Sequence, residues 1–236
     1  MKTSITLVLI LACLQGGFKD NLDLPVNRPS KELTSTELPP PPPEPPSLEE
    51  PPDFYGEPLV SENSTLCYVV DVSCSMGWDT KTYVDEEGNT KWGNRLTRAK
   101  CELRKSISSL PKNFKFNIVD YSCTLRKWSS ILKEANEPNK LAATGYVNSL
   151  YPNGGTGTGP AVVLALQDKE VKKIVLLTDG APGCGGSTPN VHRAMIKTHN
   201  TQGASVDVFG IGAYSTYKQF CQNVANDNNG AFIDVN

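Results

Sequence analysis

The 236-residue sequence predicts an α/β fold over residues 64–236, with a doubly wound, mostly parallel central sheet and helices on both faces. Short unbroken apolar runs, 66–70 (LCYVV) and 173–178 (KIVLLT), have the length and content of strands buried on both sides. Segments between such runs carry apolar residues at three- and four-residue steps, the spacing of a helix with one buried face. Alternation of this kind favours parallel neighbours, because a helical crossover returns the chain to the same end of the sheet.

The elements follow in order. Residues 66–70 form the first strand, which ends at Asp71. Residues 78–94 (WDTKTYVDEEGNTKWGN) read as a small hairpin, with Thr82-Tyr83-Val84 and Thr90-Lys91-Trp92 joined through Glu87-Gly88-Asn89. Residues 95–110 predict a helix with Leu96, Ala99, Leu103, Ile107 and Leu110 on one face, stopped by Pro111. A second strand is expected at 114–121 and a short third at 125–128, then helices at 140–150 and 160–167. The strand 173–178 ends at Asp179 and is followed by a helix at 190–199 and a strand at 205–211. A last helix places Tyr217, Phe220, Cys221 and Val224 on one face, and Asn229-Gly230 ends it before a strand at 231–235.

Upstream of Ser64 the organisation differs. Lys2 precedes residues 5–12 (ITLVLILA), an apolar run that fits an export signal and is too short for a transmembrane span. Ile10-Leu11-Ala12-Cys13 resembles a bacterial lipoprotein box, in which Cys13 would be lipidated and anchor the chain to a membrane. A plain signal cleaved a few residues later is the alternative. Residues 38–58 (LPPPPPEPPSLEEPPDFYGEP) are dominated by proline, which fixes φ and removes backbone donors. They read as an extended spacer of about 3.1 Å per residue rather than as a ligand for a proline-binding module. The expected organisation is therefore a leader at 1–13, a Pro- and Glu-rich linker at 14–63 and one domain at 64–236, in an exported bacterial protein.

Six further cysteines, Cys67, Cys74, Cys101, Cys123, Cys184 and Cys221, form an even set suited to pairing in an oxidising compartment. No CxxC pair occurs, so a zinc ribbon is not indicated. A net charge of −2 gives no electrostatic case for nucleic acid.

In open parallel sheets ligands bind beyond the carboxyl ends of the strands. Three loops on that edge carry the chemistry. The first is Asp71-Val72-Ser73-Cys74-Ser75-Met76-Gly77, the second Asn153-Gly154-Gly155-Thr156-Gly157-Thr158-Gly159, and the third Asp179-Gly180. Together they present Asp71, Ser73, Ser75, Thr156 and Asp179, an all-oxygen set suited to a hard cation such as Mg2+.

These loops resemble the metal-ion-dependent adhesion site of von Willebrand factor A domains, whose DxSxS, glycine-flanked Thr and (T)DG elements appear here in order. The resemblance covers the chain after Ser64, including the Arg-Leu-x-x-Ala-Lys opening of the first helix (95–100) and Gly210-Ile211-Gly212. It implies a Mg2+ ion, with Mn2+ or Ca2+ as alternatives, at Asp71, Ser73, Ser75, Thr156 and Asp179. The two serines and the threonine would bind directly, and the carboxylates, the only two formal charges, often through water. The electron-poor ion would then accept an Asp or Glu of a protein or peptide partner. Thr158 competes for the threonine place, and the Gly-Gly pair selects Thr156.

Cys74 departs from the family pattern, which often has glycine there, and is expected either to pair with Cys184 or Cys123 or to pack at the same rim. Cys101 and Cys221, on the first and last helices, are the expected bridge, since those helices are neighbours in such folds. The insertion at 78–94 is longer than usual in the family. It makes Trp78, Tyr83 and Trp92 candidates for a partner-contacting rim, with a self-packed flap as the alternative.

Other chemistries lack their parts. No Gly-Lys-Ser/Thr follows the glycine-rich loop, so it is not a phosphate loop. His192 and His199, the only histidines, fall on one helix expected to be solvated, which leaves a serine hydrolase without a base. The expectation is a non-enzymatic, tethered, exported domain that binds a protein through its metal. A metal-dependent hydrolase is one alternative. The other is a cytosolic-type assembly subunit working with an ATPase, against which the leader and the cysteines speak.

Overall fold

The computed structural model describes residues 52–61, 64–180 and 182–235. The leader, Cys13 and all of the linker up to residue 51 lie outside the described residues. The strands in chain order are β1 (Asp53–Phe54), β2 (Glu57–Pro58), β3 (Thr65–Asp71), β4 (Lys81–Val84), β5 (Thr90–Gly93) and β6 (Lys115–Tyr121). They continue with β7 (Leu125–Lys127), β8 (Lys133–Glu134), β9 (Lys173–Thr178), β10 (Ser205–Ile211) and β11 (Phe232–Val235). The helices are α1 (Arg95–Ser109), α2 (Glu137–Ser149), α3 (Thr158–Leu166), α4 (Pro189–His199) and α5 (Ser215–Asp227).

The central sheet runs β11-β10-β9-β3-β6-β7, with β8 also on β6. Every pairing from β11 to β6 is parallel, while β7 and β8 join β6 antiparallel. All residues of β3 and β9 are buried, which explains their continuous apolar content. The chain leaves β3 towards β6 on one side and returns to β9 on the other. The carboxyl ends of β3 and β9 therefore flank the point where the winding reverses, and that is where Asp71 and Asp179 emerge.

One core layer packs Leu96, Ala99 and Leu103 of α1 and Ala143 and Val147 of α2 against one face of the sheet. The opposite layer takes Ala161 and Val162 of α3, Ile196 of α4 and Phe220, Cys221 and Val224 of α5. Each fully buried Val, Leu, Ile or Phe side chain stabilises the fold by roughly 1.5–3 kcal/mol relative to exposure. Local signals set the helix starts: the side chains of Asn94, Asn136 and Thr188 accept from Thr97, Asn139 and Val191 N–H.

Three expectations are corrected. Residues 53–60, read from the sequence as spacer, belong to the folded unit. β1 and β2 pair as a short antiparallel hairpin, Phe54 and Leu59 are fully buried, and the Phe54 ring lies edge-on to Phe209 at 4.7 Å. This hairpin covers β10 on the α1 side of the sheet, where prolines around Phe54 had masked a core anchor. The Cys101–Cys221 bridge does not form, because the sheet separates α1 from α5: the Cys101 thiol faces Val84 and Glu86, while Cys221 is buried in the opposite core layer. Cys123 pairs with Cys184 instead, and Cys74 is exposed and unpaired. The hairpin expected at 78–94 is present as β4 and β5, with Thr82 opposite Trp92 and Tyr83 opposite Lys91.

Candidate metal centre

The site forms where the three loops meet above β3 and β9. Asp71 is fully buried at the end of β3. Its Oδ1 accepts the Ser73 N–H at 2.8 Å, and its Oδ2 accepts the Thr178 hydroxyl at 2.7 Å and the Tyr121 hydroxyl at 3.5 Å. Ser73 starts a single 3-10 turn, Cys74–Gly77, that brings its Oγ within 3.1 Å of Ser75 Oγ. Alternate residues thus place two hydroxyls side by side.

The second loop is tied in by main-chain bonds: Asn153 N–H donates to Val72 O at 2.6 Å, and Cys74 N–H to Gly154 O at 3.0 Å. Thr156 is held from the far side, its carbonyl accepting Gly183 N–H at 2.7 Å and Cys184 N–H at 3.0 Å. The Cys123–Cys184 disulfide joins the loop after β6 to the loop after β9, and Gly157 N–H donates to Ser122 O at 2.9 Å beside it. Three loops are stapled around Thr156.

Thr156, Ser75 and Asp179 line one cleft of about 210 Å³, together with Trp78, Arg95, Tyr214 and Tyr217. Ser73 joins them through Ser75, and Asp71 through Ser73. Thr158 turns inward instead, within 3.3 Å of the Tyr121 hydroxyl at the start of α3, so it is Thr156 that faces the cleft.

The electrostatics test whether these residues suit a cation. Burial, followed by the charge of Asp179, pushes the Asp71 carboxyl up to about 7, against hydrogen bonds from Ser73 and Thr178 that favour its ionised form. No ion pair to Asp71 occurs among the described residues, so its ionised form lacks a counter-charge. Two neighbouring carboxylates, two serine hydroxyls and a threonine at one cleft are the donor chemistry of a small, hard dication. The residues fit one.

Several contributors escaped the sequence reading. Arg95, the first residue of α1, donates from Nη1 to Asp179 Oδ2 at 2.8 Å and to the Ser75 carbonyl at 3.3 Å. The expected pair of formal charges is therefore joined by a third, of opposite sign. Tyr217, expected on the apolar face of α5, is 39% exposed and lines the cleft with Tyr214, their rings 5.5 Å apart. Of the expected aromatic rim, Trp78 lines the cleft and is 66% exposed. Trp92 is exposed on β5, and Tyr83 lies half-buried on β4. Neither is among the cleft's lining residues.

His192 is also corrected. It is fully buried rather than solvated, because Gly159 has no side chain to keep it away: a Cβ there would come 2.9 Å from its Nδ1. The Nδ1 accepts the Gly159 N–H at 2.9 Å, which pins the first turn of α3 to α4. His199 stays exposed.

The model of the von Willebrand factor type A domain matches residues 94–232, and the chain belongs to that family, whose domains commonly mediate protein–protein interaction or adhesion. Among curated relatives, inter alpha-trypsin inhibitor heavy chain 4 of Mus musculus is 26% identical over 189 residues, 75% of this chain and 18% of the relative. A von Willebrand factor A domain-containing protein of Dictyostelium discoideum is 30% identical over 171 residues, 71% of this chain and 7% of that protein. The chain thus spans less than a fifth of the length of either relative. Among solved structures, a von Willebrand factor type A protein from Catenulispora acidiphila superposes with a TM-score of 0.60 at 20% identity, covering 80% of this chain and 47% of that one. The pilus adhesin SpaC from Lactobacillus rhamnosus GG gives 0.57 at 16% identity, covering 74% and 28%. These likenesses carry the fold.

Proposed function

We propose that this domain grips a protein or peptide partner through a divalent cation, Mg2+ by preference, and does no chemistry on it. Ser73, Ser75 and Thr156 would offer neutral oxygens, while Asp71 and Asp179 would supply negative charge directly or through water. The ion, when bound, supplies a Lewis-acidic point for a carboxylate of the partner. The chain's residues do the rest: the stapled loops orient the hydroxyls, and Trp78, Tyr214 and Tyr217 give the cleft an aromatic rim against which a partner desolvates. The observation that carries this reading is the buried Asp71, beside Asp179 and without a cationic partner among the described residues.

An exported, tethered setting is part of the same reading, supported by the leader-like residues 1–13, Cys13 and the proline-rich stretch. The decisive experiment is a pull-down from the exported fraction with the full chain, with and without chelator, and with Asp71→Ala as control. Partners should appear only with the intact site and metal. The same proteins in all three lanes would remove the adhesion reading.

A further inference from the structure

We propose that Arg95 sets the charge balance of this site, weakening its hold on the cation while strengthening the cation's hold on a partner's carboxylate. The inference rests on the metal-binding reading above.

The guanidinium sits in a built seat. Besides its bonds to Asp179 and the Ser75 carbonyl, Nη2 donates to the Gly212 carbonyl at 3.3 Å, and Nε faces Asp79 Oδ2 at 3.6 Å. The side chain is only 12% exposed and lines the cleft beside Ser75, Thr156 and Asp179. Gly212 makes room for it: its φ is +65°, and a Cβ there would come 2.9 Å from Arg95 Nε. Arg95 also opens α1, where the helix dipole disfavours a cation. Helix stability therefore does not account for a positive charge at this place.

Charge counting gives the consequence. Two carboxylates, Asp71 and Asp179, balance the formal charge of a dication and so limit its pull on a partner's acid. Arg95 occupies one oxygen of Asp179 and adds one positive charge. Asp79 does not cancel it, being shared with Arg98 at 3.4 Å and Lys81 at 3.6 Å. The loaded site keeps one positive charge in excess, which repels the ion and attracts a carboxylate. Arg95 is thus a specificity-determining residue that trades metal affinity for anion affinity.

The test uses the full chain, Mn2+ alone as the metal probe, and acetate as the carboxylate probe. Mn2+ binding is read by electron paramagnetic resonance, and acetate on the Mn2+-loaded chain by water-proton relaxation. Arg95→Gln should bind Mn2+ roughly tenfold tighter and acetate roughly tenfold weaker, since a charge a few ångströms away acts with little screening in a half-buried cleft. Arg95→Lys, which keeps the charge, should stay within about threefold of wild type in both. A fall in both affinities for Arg95→Gln with unchanged circular dichroism would make Arg95 merely structural and overturn this inference alone. If Arg95→Gln does not fold, a loss of Mn2+ and acetate binding together in Arg95→Lys overturns it equally. Failure of the wild-type chain to bind Mn2+ would overturn the metal reading and this inference with it.

Discussion

The main-chain N–H of Gly159 ends on the imidazole Nδ1 of His192, 2.9 Å away, and this bond locks the glycine-rich loop to a helix 33 residues further along the chain. Because Nδ1 accepts, the ring is the neutral tautomer with its proton on Nε2. Burial holds the imidazole below its ordinary range, with a smaller opposing effect from the Gly186 backbone. A histidine lowered in the fold contributes stability that is fully present above the unfolded value, about 6.5, and is lost as pH falls below it. Relative to His192→Asn, wild-type chain should therefore be less stable to denaturant at pH 5 than at pH 7.5. His192→Asn, whose amide oxygen can accept the same N–H, should lose that part of the pH dependence. His192→Phe should cost about 1–3 kcal/mol at pH 7.5, for the orphaned Gly159 donor. Identical pH profiles for wild type and His192→Asn would contradict this.

Asp71 carries the opposite sign. Its carboxyl is raised in the folded, metal-free chain, so the fold binds that proton more tightly than the unfolded chain, whose carboxyl titrates near 3.9. The stability from this group is full at low pH and declines as pH rises from about 4 to about 7. Chelated protein should consequently melt lower at pH 7.5 than at pH 5.5 relative to Asp71→Asn. Mg2+ should raise the melting temperature more at the higher pH, where the carboxylate is available. A Mg2+ effect independent of pH between 5.5 and 7.5 would contradict the expectation.

The disulfide staple has a local consequence. Cys123 and Cys184 are 61 residues apart in sequence, and their bridge closes the loops that hold Thr156 by its carbonyl. Replacing both with serine should reduce stability by roughly 2–4 kcal/mol, the usual cost of such a bridge. Metal affinity should fall as well, because Thr156 loses its fixed position. Unchanged Mn2+ affinity in the double serine variant would show that the loops keep their shape without the bond.

The hairpin ahead of β3 makes a boundary prediction. Phe54 is buried against Phe209 and Tyr68, so Phe54→Ala should cost about 3–5 kcal/mol, as for other buried aromatics. A chain begun at Ser64 should be destabilised by at least as much, measured by urea unfolding. Equal stability of the shorter chain would place residues 53–60 outside the fold.

Much of this architecture was legible from residue order. β3 and β9 announced themselves as unbroken apolar runs, each ending in an aspartate, and α1 through its spaced Leu96, Ala99, Leu103 and Ile107. The loops after β3 and β9 could be placed on one edge because a parallel sheet puts them there, and the glycine-rich loop between α2 and α3 joined them through the family resemblance. What stayed hidden depends on long-range packing. His192 looked like a surface residue because nothing local reveals that Gly159 leaves a hole for it. Phe54 was concealed by surrounding prolines, and the pairing of Cys123 with Cys184 depends on loops that meet only after the sheet forms. Arg95 was visible only as part of a helix opening, since its partner Asp179 lies 84 residues away.

Cys74 stands exposed between the two serines, while Cys67, Cys101 and Cys221 are buried. Among the described residues it is therefore the one thiol that a maleimide dye can reach without unfolding the chain. A fluorophore attached there would sit beside the proposed metal site and the aromatic rim, and its emission would report metal loading and partner capture, if the proposed function holds, in a single cuvette.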